Sequence, residues 1–463
     1  MKKFLTLCCL ASLAAPAMAQ PTVPFQVATL PGSDARLYAE QDGRLPRVWV
    51  DLHLEAGERF VPKELAGMSM LAALLLDKGP AEVPYARFRH ELFLRNVAID
   101  WEADNRFLTA HVKCRPDELV WATRLVRDTA AHPRSDATTF KQVHDEAVNQ
   151  RRALNDNMSA VTFLYNKQRL WGFAPEMRLA QGWTSTLEGV TAADLKGYLN
   201  REFAHPGAFL SAVGPDPASK LAAAIAPTLA GWLGPFSPTR TAEPPTPSDR
   251  AAVLIDKPGA TNAQVYLLGP LDVDLTSREA AAAEVFFAGM GDGLDARLGK
   301  TLRVERGLTY YAGSGFRRME WPGWYVYSYG GLTQTPKLLS GFYEIFEDAK
   351  DGLAPAEVAE AKDLLLKQQA QAMETPAEQM AAVADAVGQG LPADTPFTRP
   401  KLLAQVTPAD VQAVGAKLAT LSGASIVVMG DASKLEAPIE KALPQGTRLE
   451  VRKMTDLVDD ATR

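Results

Sequence analysis

The sequence Val190-Thr191-Ala192-Ala193-Asp194 has a counterpart 216 residues later, Val406-Thr407-Pro408-Ala409-Asp410. Each copy continues through a predicted helix into an apolar run, which ends at Gly214 in the first copy and at Gly430 in the second. In both copies the threonine can cap the helix, and the aspartate three residues later completes a box-like start. The offset is the same at both ends, so the copies match without a gap. A repeat of this length, which is too long for a solenoid unit, predicts two copies of one domain.

A proline-rich stretch separates the two copies. Residues 235–249 contain five prolines and lack an apolar period, which is typical of an extended, exposed linker. We therefore predict an N-terminal domain over residues 20–234 and a C-terminal domain over residues 250–463. The 463-residue chain is long enough for each part to bury a core of its own.

The first 19 residues predict export. Two lysines at the start are followed by an apolar stretch over residues 4–15 and by the small-residue site Ala17-Met18-Ala19. These features are typical of a cleaved signal peptide, and the apolar stretch is too short to span a bilayer. We therefore expect a periplasmic protein without a membrane span. The cysteine that remains, Cys114, cannot form an internal disulfide, and we expect it to be a buried small side chain.

The apolar periodicity predicts the fold class. Strand pairs followed by helices favour an α+β fold of two duplicated domains, each a mainly antiparallel sheet with helices packed on one face. The predicted strands are residues 48–54, 96–101, 106–114, 262–268 and 323–329. The predicted helices are residues 116–129, 137–153, 278–287, 337–349 and 356–373.

The charge balance argues against nucleic acid as a partner. The chain carries a formal net charge of −6, and 22% of its residues are charged. An acidic protein of this kind repels phosphate backbones and anionic membrane surfaces. We therefore expect no nucleic-acid partner.

Residues 66–79 have the length and the flanking glycines of a metallopeptidase helix but none of its ligands. Where such a helix carries His-x-x-Glu-His, this one carries Met70, Ala73 and Leu74. Zinc requires imidazole or carboxylate donors at helical spacing, with a carboxylate base beside them. A thioether, a methyl and an isobutyl group supply neither. We therefore expect no metal on this chain.

The histidines of the sequence do not form a metal site elsewhere. No two of the six are four residues apart, and His90-Glu91 is followed by Leu94 where a second ligand would be required. His144-Asp145-Glu146 is predicted to be a solvated helix face. No G-x-S-x-G sequence is present either. The sequence contains no complete catalytic set.

A glycine-rich block in the second half carries groups suited to binding a peptide. Residues 289–310 begin Gly-Met-Gly-Asp-Gly and include Arg303 and Tyr310, seven residues apart. An arginine presents five donors and a tyrosine one, and such donors can stabilise the oxyanion formed when water attacks a peptide carbonyl. On composition alone, an ion pair of Arg303 with Glu305 or Asp295 and a tyrosine packed under the sheet remain the alternative.

Three features together resemble the pitrilysin/insulinase family of zinc peptidases, also called the mitochondrial-processing-peptidase family: the 66–79 helix, the duplicated half and the 289–310 block. The resemblance covers nearly all of the sequence after the signal peptide. It implies a peptidase of four such domains, in one chain or in two subunits, that enclose a chamber. It also implies that zinc is bound by the first domain of a catalytic partner, since Met70, Ala73 and Leu74 replace the ligands here.

The resemblance also implies roles for the second-half block. Arg303 and Tyr310 have the spacing of the family's Arg and Tyr that reach the substrate beside the zinc of the other half. Gly289, Gly291 and Gly293 correspond to a loop that handles substrate in two-subunit relatives, and a plain turn at a helix start is the alternative reading.

The sequence therefore favours a non-catalytic subunit of an exported heteromeric zinc metallopeptidase. A homologous subunit would supply His-x-x-Glu-His and zinc, while this chain would close the chamber and lend Arg303 and Tyr310. The expected substrate is an extended peptide, held partly by strand addition to a sheet edge. The alternative is a structural or peptide-binding pseudo-peptidase without a catalytic contribution. An autonomous peptidase fails for lack of ligands.

Overall fold

The computed structural model describes residues 23–454 apart from positions 45, 173, 239–250, 294, 319–320 and 419. The predicted signal peptide, residues 1–19, lies outside the described residues, as does most of the predicted linker, residues 235–249. Both therefore stay predictions. The described residues form two β-sheets, one from each half of the chain, with helices packed on them.

The first sheet has seven strands in the order β1-β2-β6-β3-β5-β4, with β7 beside β6. Its strands are β1 (Phe25–Thr29), β2 (Arg36–Gln41), β3 (Val48–Leu54), β4 (Ala98–Ala103), β5 (Leu108–Cys114), β6 (Gly207–Gly214) and β7 (Gly234–Pro235). Neighbours are antiparallel except at β2/β6 and β6/β7.

The second sheet has six strands in the order β10-β11-β9-β12-β8-β13. Its strands are β8 (Ala252–Asp256), β9 (Asn262–Pro270), β10 (Tyr311–Arg317), β11 (Gly323–Gly331), β12 (Ser425–Gly430) and β13 (Leu449–Lys453). Neighbours are antiparallel except at β12/β8 and β8/β13.

Helices make up most of the rest of both halves. In the first half they are α1 (Met68–Leu76), α2 (Tyr85–Arg95), α3 (Leu119–Ala131), α4 (Ala137–Asp156), α5 (Met158–Trp171), α6 (Thr184–Gly189), α7 (Ala192–Glu202) and α8 (Ala218–Leu229). In the second half they are α9 (Arg278–Gly291), the π-helix Gly299–Glu305, α10 (Thr335–Asp348), α11 (Pro355–Ala372), α12 (Pro376–Gly388), α13 (Thr395–Gln405), α14 (Pro408–Leu418) and α15 (Ala432–Ala442).

The repeat in the sequence is a repeat in the structure. β6 and β12 occupy the same place in their sheets: each pairs antiparallel with β3 or β9 and parallel with β2 or β8. The preceding helices begin alike: the amide of Asp194 donates to the Thr191 hydroxyl at 3.2 Å, and the amide of Asp410 donates to the Thr407 hydroxyl at 3.3 Å. The two halves therefore share one fold, as the repeat predicted.

Each sheet buries one face against the helices of its own half. In the first half, β3, β5 and β6 pack their alternate residues against α1, α3 and α8. In the second half, β9, β11 and β12 pack against α9 and α10. Burying apolar area at about 25 cal/mol per Å² makes these two cores the main source of stability.

The opposite face of each sheet receives one helix from the other half. Val161, Leu170 and Trp171 of α5 pack against β8, β9 and β12 of the second sheet. Met380 and Val383 of α12 pack against Tyr38, Phe209 and Val213 of the first sheet. This exchange joins the two halves through buried apolar contacts. The apolar periodicity did not predict it, because it shows that a helix has an apolar face but not which sheet that face meets.

The predicted α+β class is confirmed, since both sheets are mixed, with mainly antiparallel pairs, and both carry helices. The prediction of helices on one face is wrong, because α5 and α12 pack on the opposite faces. Among residues 23–454 as described, no helix is both long and apolar enough to cross a membrane.

Candidate functional site

Arg303 and Tyr310 are held by an unusual local structure, a π-helix that leads into an edge strand. Within it, the Arg306 amide donates to the Thr301 carbonyl at 3.0 Å, the wide spacing that defines this helix type. π-helices are rare and occur frequently at functional sites. Gly307, in the left-handed region at φ +60°, ends the turn, and β10 begins after a short loop, at Tyr311. The buried side chain of Leu302 anchors the segment, which places Arg303 near the surface.

The structure brings Arg303 and Tyr310 together. The Arg303 Cζ atom lies 4.3 Å from the centroid of the Tyr310 ring, a cation–π contact. Tyr310 is 69% exposed, so its ring does not pack under the sheet. Among the ion pairs of the described residues, none joins Arg303 to Glu305 or Asp295. The described residues therefore show neither the ion pair of Arg303 nor the packed tyrosine of the alternative interpretation. The role of the pair in binding substrate stays a prediction.

Tyr311 belongs to a different surface from Tyr310. It is the first residue of β10 and is paired with Tyr329 of β11. Its ring lies 6.1 Å from that of Tyr327, and burial raises the pKa of its phenol. Tyrosines that share this outer face form a row across the sheet: Tyr266, Tyr311, Tyr325, Tyr327 and Tyr329. Sequence reasoning missed this row, although the alternating tyrosines at 325, 327 and 329 were its signal.

The three glycines end a helix rather than begin one. Gly289 and Gly291 form the last turn of α9, and Gly293 follows it at φ +107°. A Cβ atom on Gly291 would lie 2.1 Å from the Ser314 backbone nitrogen, so glycine is required for α9 to touch β10. A Cβ atom on Gly289 would lie 2.5 Å from a Leu353 side-chain carbon. Close packing therefore explains why glycine is present at positions 289 and 291. A role of the three glycines in handling substrate stays a prediction.

The helix that replaces a zinc site is an ordinary core helix. Met70 and Ala73 of α1 are buried, and Leu74 is half-buried against the same core. Gly67 and Gly79 flank the helix in the left-handed region, at φ +100° and +75°. The residues present therefore do not fit a zinc ion. Among the described residues, no group of three or more His, Cys, Asp or Glu side chains is arranged to hold a metal.

A buried carboxyl group anchors the start of this helix. Glu58 is fully buried, and its two oxygens accept hydrogen bonds from the Gly67 amide at 2.8 Å and from the Ser69 hydroxyl at 2.7 Å. Burial raises its pKa to about 8, although these hydrogen bonds act in the opposite direction. Sequence reasoning missed Glu58, since a single acidic residue in a loop gives no signal of the tertiary contact it makes.

His144 is not part of a solvated face, contrary to the prediction. Its Nε2 atom lies 2.7 Å from the Leu187 carbonyl oxygen, and its side chain is 19% exposed. Asp145 and Glu146 are more exposed and pair with lysines, the first with Lys141 at 2.6 Å and the second with Lys78 at 3.8 Å. α4 packs against α6, and this contact covers the His144 side chain. The sequence does not reveal which helices pack together, so the prediction missed it.

A histidine–carboxylate cluster lies on the outer face of the first sheet. His111 Nδ1 lies 2.8 Å from an Asp51 oxygen, and its Nε2 lies 3.5 Å from a Glu102 oxygen. The hydrogen bond with Asp51 raises the pKa of His111. His53 on the same face is half-buried, and the desolvation of its ring lowers its pKa to about 4. These groups border a cavity of about 470 Å³ whose other wall is α12 of the second half.

One edge strand of the first sheet, β4, already uses a backbone amide that an added peptide strand would need. β4 is an edge strand next to α1, where a peptide could add as a further strand. The Trp101 amide, however, already donates to the Asp77 carboxylate at 2.8 Å. Strand addition at this position would require Asp77 to release that amide. In the second sheet, β10 is the corresponding edge strand.

Comparisons with known proteins agree with this architecture. Residues 189–365 match the family model of the peptidase M16 inactive domain. A comparison with curated proteins gave no match. Among solved structures, the peptidase M16 inactive domain from Pseudomonas fluorescens superposes with a TM-score of 0.75 at 19% identity, covering 88% of this chain and 98% of that one.

Two further structures show the same fold in different settings. The periplasmic protease PqqL from Escherichia coli matches 91% of this chain but 49% of its own length, at 16% identity and a TM-score of 0.71. A chain of complex III2 from Candida albicans matches 90% of this chain and 99% of its own length, at 14% identity and a TM-score of 0.70. At these identities the likeness shows the fold alone. Residues 189–365 are therefore similar to the peptidase M16 (pitrilysin-like) inactive domain, and the chain shares the fold of these solved structures.

Proposed function

We propose that this chain is the non-catalytic subunit of an exported heteromeric zinc peptidase. A partner subunit with His-x-x-Glu-His would bind the zinc, and this chain would close the chamber around an extended peptide. Arg303 and Tyr310 would be supplied to the partner's active site. The contact between Arg303 in the π-helix and the exposed Tyr310 in the loop after it is the observation that carries the proposal.

The chemistry of the pair suits an oxyanion. Because Arg303 makes no ion pair with a carboxylate among the described residues, its guanidinium can still donate to a new acceptor. The Tyr310 ring holds the guanidinium from one side, which limits its freedom before substrate arrives. Each donor of this kind typically contributes about 10²–10³ in rate when placed at a developing negative charge.

Two observations support a second subunit. The core packing of α1 leaves that helix without a zinc site, whereas the contact between Arg303 and Tyr310 is formed. In addition, the chain matches about half the length of PqqL, so a protein of that size has a second half besides the part matched here.

The test is reconstitution with variants. The wild-type chain is mixed with a candidate zinc-binding subunit, and peptide hydrolysis is compared with that of the Tyr310→Phe and Arg303→Ala variants. We expect turnover to fall by about 10²-fold or more in Arg303→Ala, while assembly is unchanged. Arg306→Ala is the matched control, since Arg306 lies in the same element but pairs with Glu344 at 2.7 Å. Unchanged turnover in both test variants would refute the assigned roles.

A structural or peptide-binding subunit is the second candidate. The likeness to a chain of complex III2 favours it, as do the partly exposed tyrosines Tyr311 and Tyr329 beside an edge strand. Under this interpretation, the assembled complex binds an extended peptide. Complexes that contain an Arg303 or a Tyr310 variant then hydrolyse the peptide as fast as the complex with the wild-type chain.

A further inference from the structure

A buried lysine lies in α5, the helix that crosses from the first half to the second sheet. Lys167 is 9% exposed, and its ammonium has no hydrogen-bond or ion-pair partner among the described residues. Burial alone lowers its pKa to about 8. A buried cation without a partner is costly for the fold, so a counter-charge from outside the chain would relieve that cost.

The lysine lines a partly open cavity whose charged lining residues are all basic. The cavity measures about 40 Å³ and is walled by Lys167, Arg151 and Arg178, with no aspartate or glutamate among its described lining residues. The same cavity is also lined by the apolar side chains of Val161, Leu164, Met177 and Leu179. A site that combines basic and apolar lining groups matches an organic anion better than a hydrated ion.

A second donor in this wall lacks a partner. Arg178 donates one terminal nitrogen to the Val61 carbonyl at 2.7 Å, while its Nε–H is buried without an acceptor among the described residues. Buried donors without acceptors are rare in folded proteins, because each costs about 1–3 kcal/mol. An anion in the cavity would give this donor an acceptor as well.

The size of the cavity limits the anion. Since one water occupies about 10–15 Å³ of such volume, 40 Å³ holds about three waters or a group of similar size. We propose that this cavity is a binding site for a small monocarboxylate of the size of acetate, with Lys167 as its charge partner. The methyl end would face the apolar lining groups. The site is separate from the Arg303–Tyr310 element and does not depend on the proposed peptidase role.

The test uses acetate itself. Thermal unfolding of the purified chain is followed at pH 7 in sodium acetate, in sodium chloride of equal ionic strength, and in acetamide as a neutral analogue. We expect a saturable rise in Tm with acetate alone. Lys167→Met, which fills the position with an apolar side chain, should remove the rise. Lys196→Met, at an exposed lysine of α7, is the matched control and should keep it.

The pH dependence gives a second readout. Because the lysine must be protonated to pair with a carboxylate, apparent affinity should be about tenfold weaker at pH 9 than at pH 7. Calorimetry on the wild type at pH 8 should show uptake of about half a proton per acetate bound. Because calorimetry uses the wild-type chain, it tests the proposal even if Lys167→Met does not fold.

Several outcomes would overturn the proposal. They are an equal effect of acetate and acetamide, an acetate effect that survives in Lys167→Met, and acetate binding without proton uptake at pH 8. An equal saturable effect of chloride would overturn the carboxylate assignment.

Discussion

The buried Glu58 predicts an unusual dependence of stability on pH. Its pKa is about 8 in the folded chain, compared with an ordinary value of 4.5. Between these values the folded state holds one proton more than the unfolded state, so the free energy of unfolding falls as pH rises, by up to about 1.4 kcal/mol per pH unit. From pH 5 to pH 7 this amounts to roughly 2.5 kcal/mol, which is the contribution of this group alone.

Glu58→Gln should remove that contribution. Glutamine has the shape of the protonated acid, and it can still accept from the Gly67 amide while donating to the Ser69 hydroxyl. We therefore expect the variant to lie within about 1 kcal/mol of the wild type at pH 5 and to be more stable than it by about 2–3 kcal/mol at pH 7.

The assay is urea unfolding of both proteins at several pH values between 5 and 8, monitored by circular dichroism and tryptophan fluorescence. Glu64→Gln is the control, because Glu64 is exposed in the same loop and should behave as the wild type at every pH. If the stability difference between Glu58→Gln and the wild type is constant from pH 5 to 8, Glu58 is ionised in the folded state and the reasoning is wrong.

Three further predictions concern packing and titration. Gly291→Ala should destabilise the chain by about 1–3 kcal/mol in urea unfolding, since its Cβ atom would overlap the Ser314 nitrogen. Burial raises the pKa of Cys114 to about 12, so native protein at pH 8 should resist iodoacetamide, as followed by mass spectrometry. The pKa of His111 is raised, so its pairing with Asp51 stabilises the fold at low pH and is lost as pH rises; Asp51→Asn should therefore destabilise more at pH 6 than at pH 9.

The sequence predicted the elements of the fold well where apolar periodicity and caps agree. The strand predicted at 48–54 is β3 with the same bounds, and the helix predicted at 356–373 differs from α11 by one residue at each end. The capping boxes at Thr191 and Thr407 predicted the repeat, because a cap is a local interaction that the sequence specifies directly.

The arrangement between the halves could not be predicted. The apolar faces of α5 and α12 indicate burial, but the sheets they meet are defined by tertiary packing. For the same reason, the sequence did not reveal that Glu58 caps α1 or that Lys167 lines a cavity. The spacing of Arg303 and Tyr310 was visible, whereas their contact depends on a π-helix, which has no recognisable sequence signal.

The central claim is that this chain binds no zinc but lends Arg303 and Tyr310 to a subunit that does. The most direct measurement is zinc content and peptide hydrolysis of the purified chain, alone and with a His-x-x-Glu-His partner. We expect neither metal nor hydrolysis from the chain alone, and hydrolysis that depends on both subunits in the mixture. Stoichiometric zinc and peptide cleavage by the isolated chain would contradict the account.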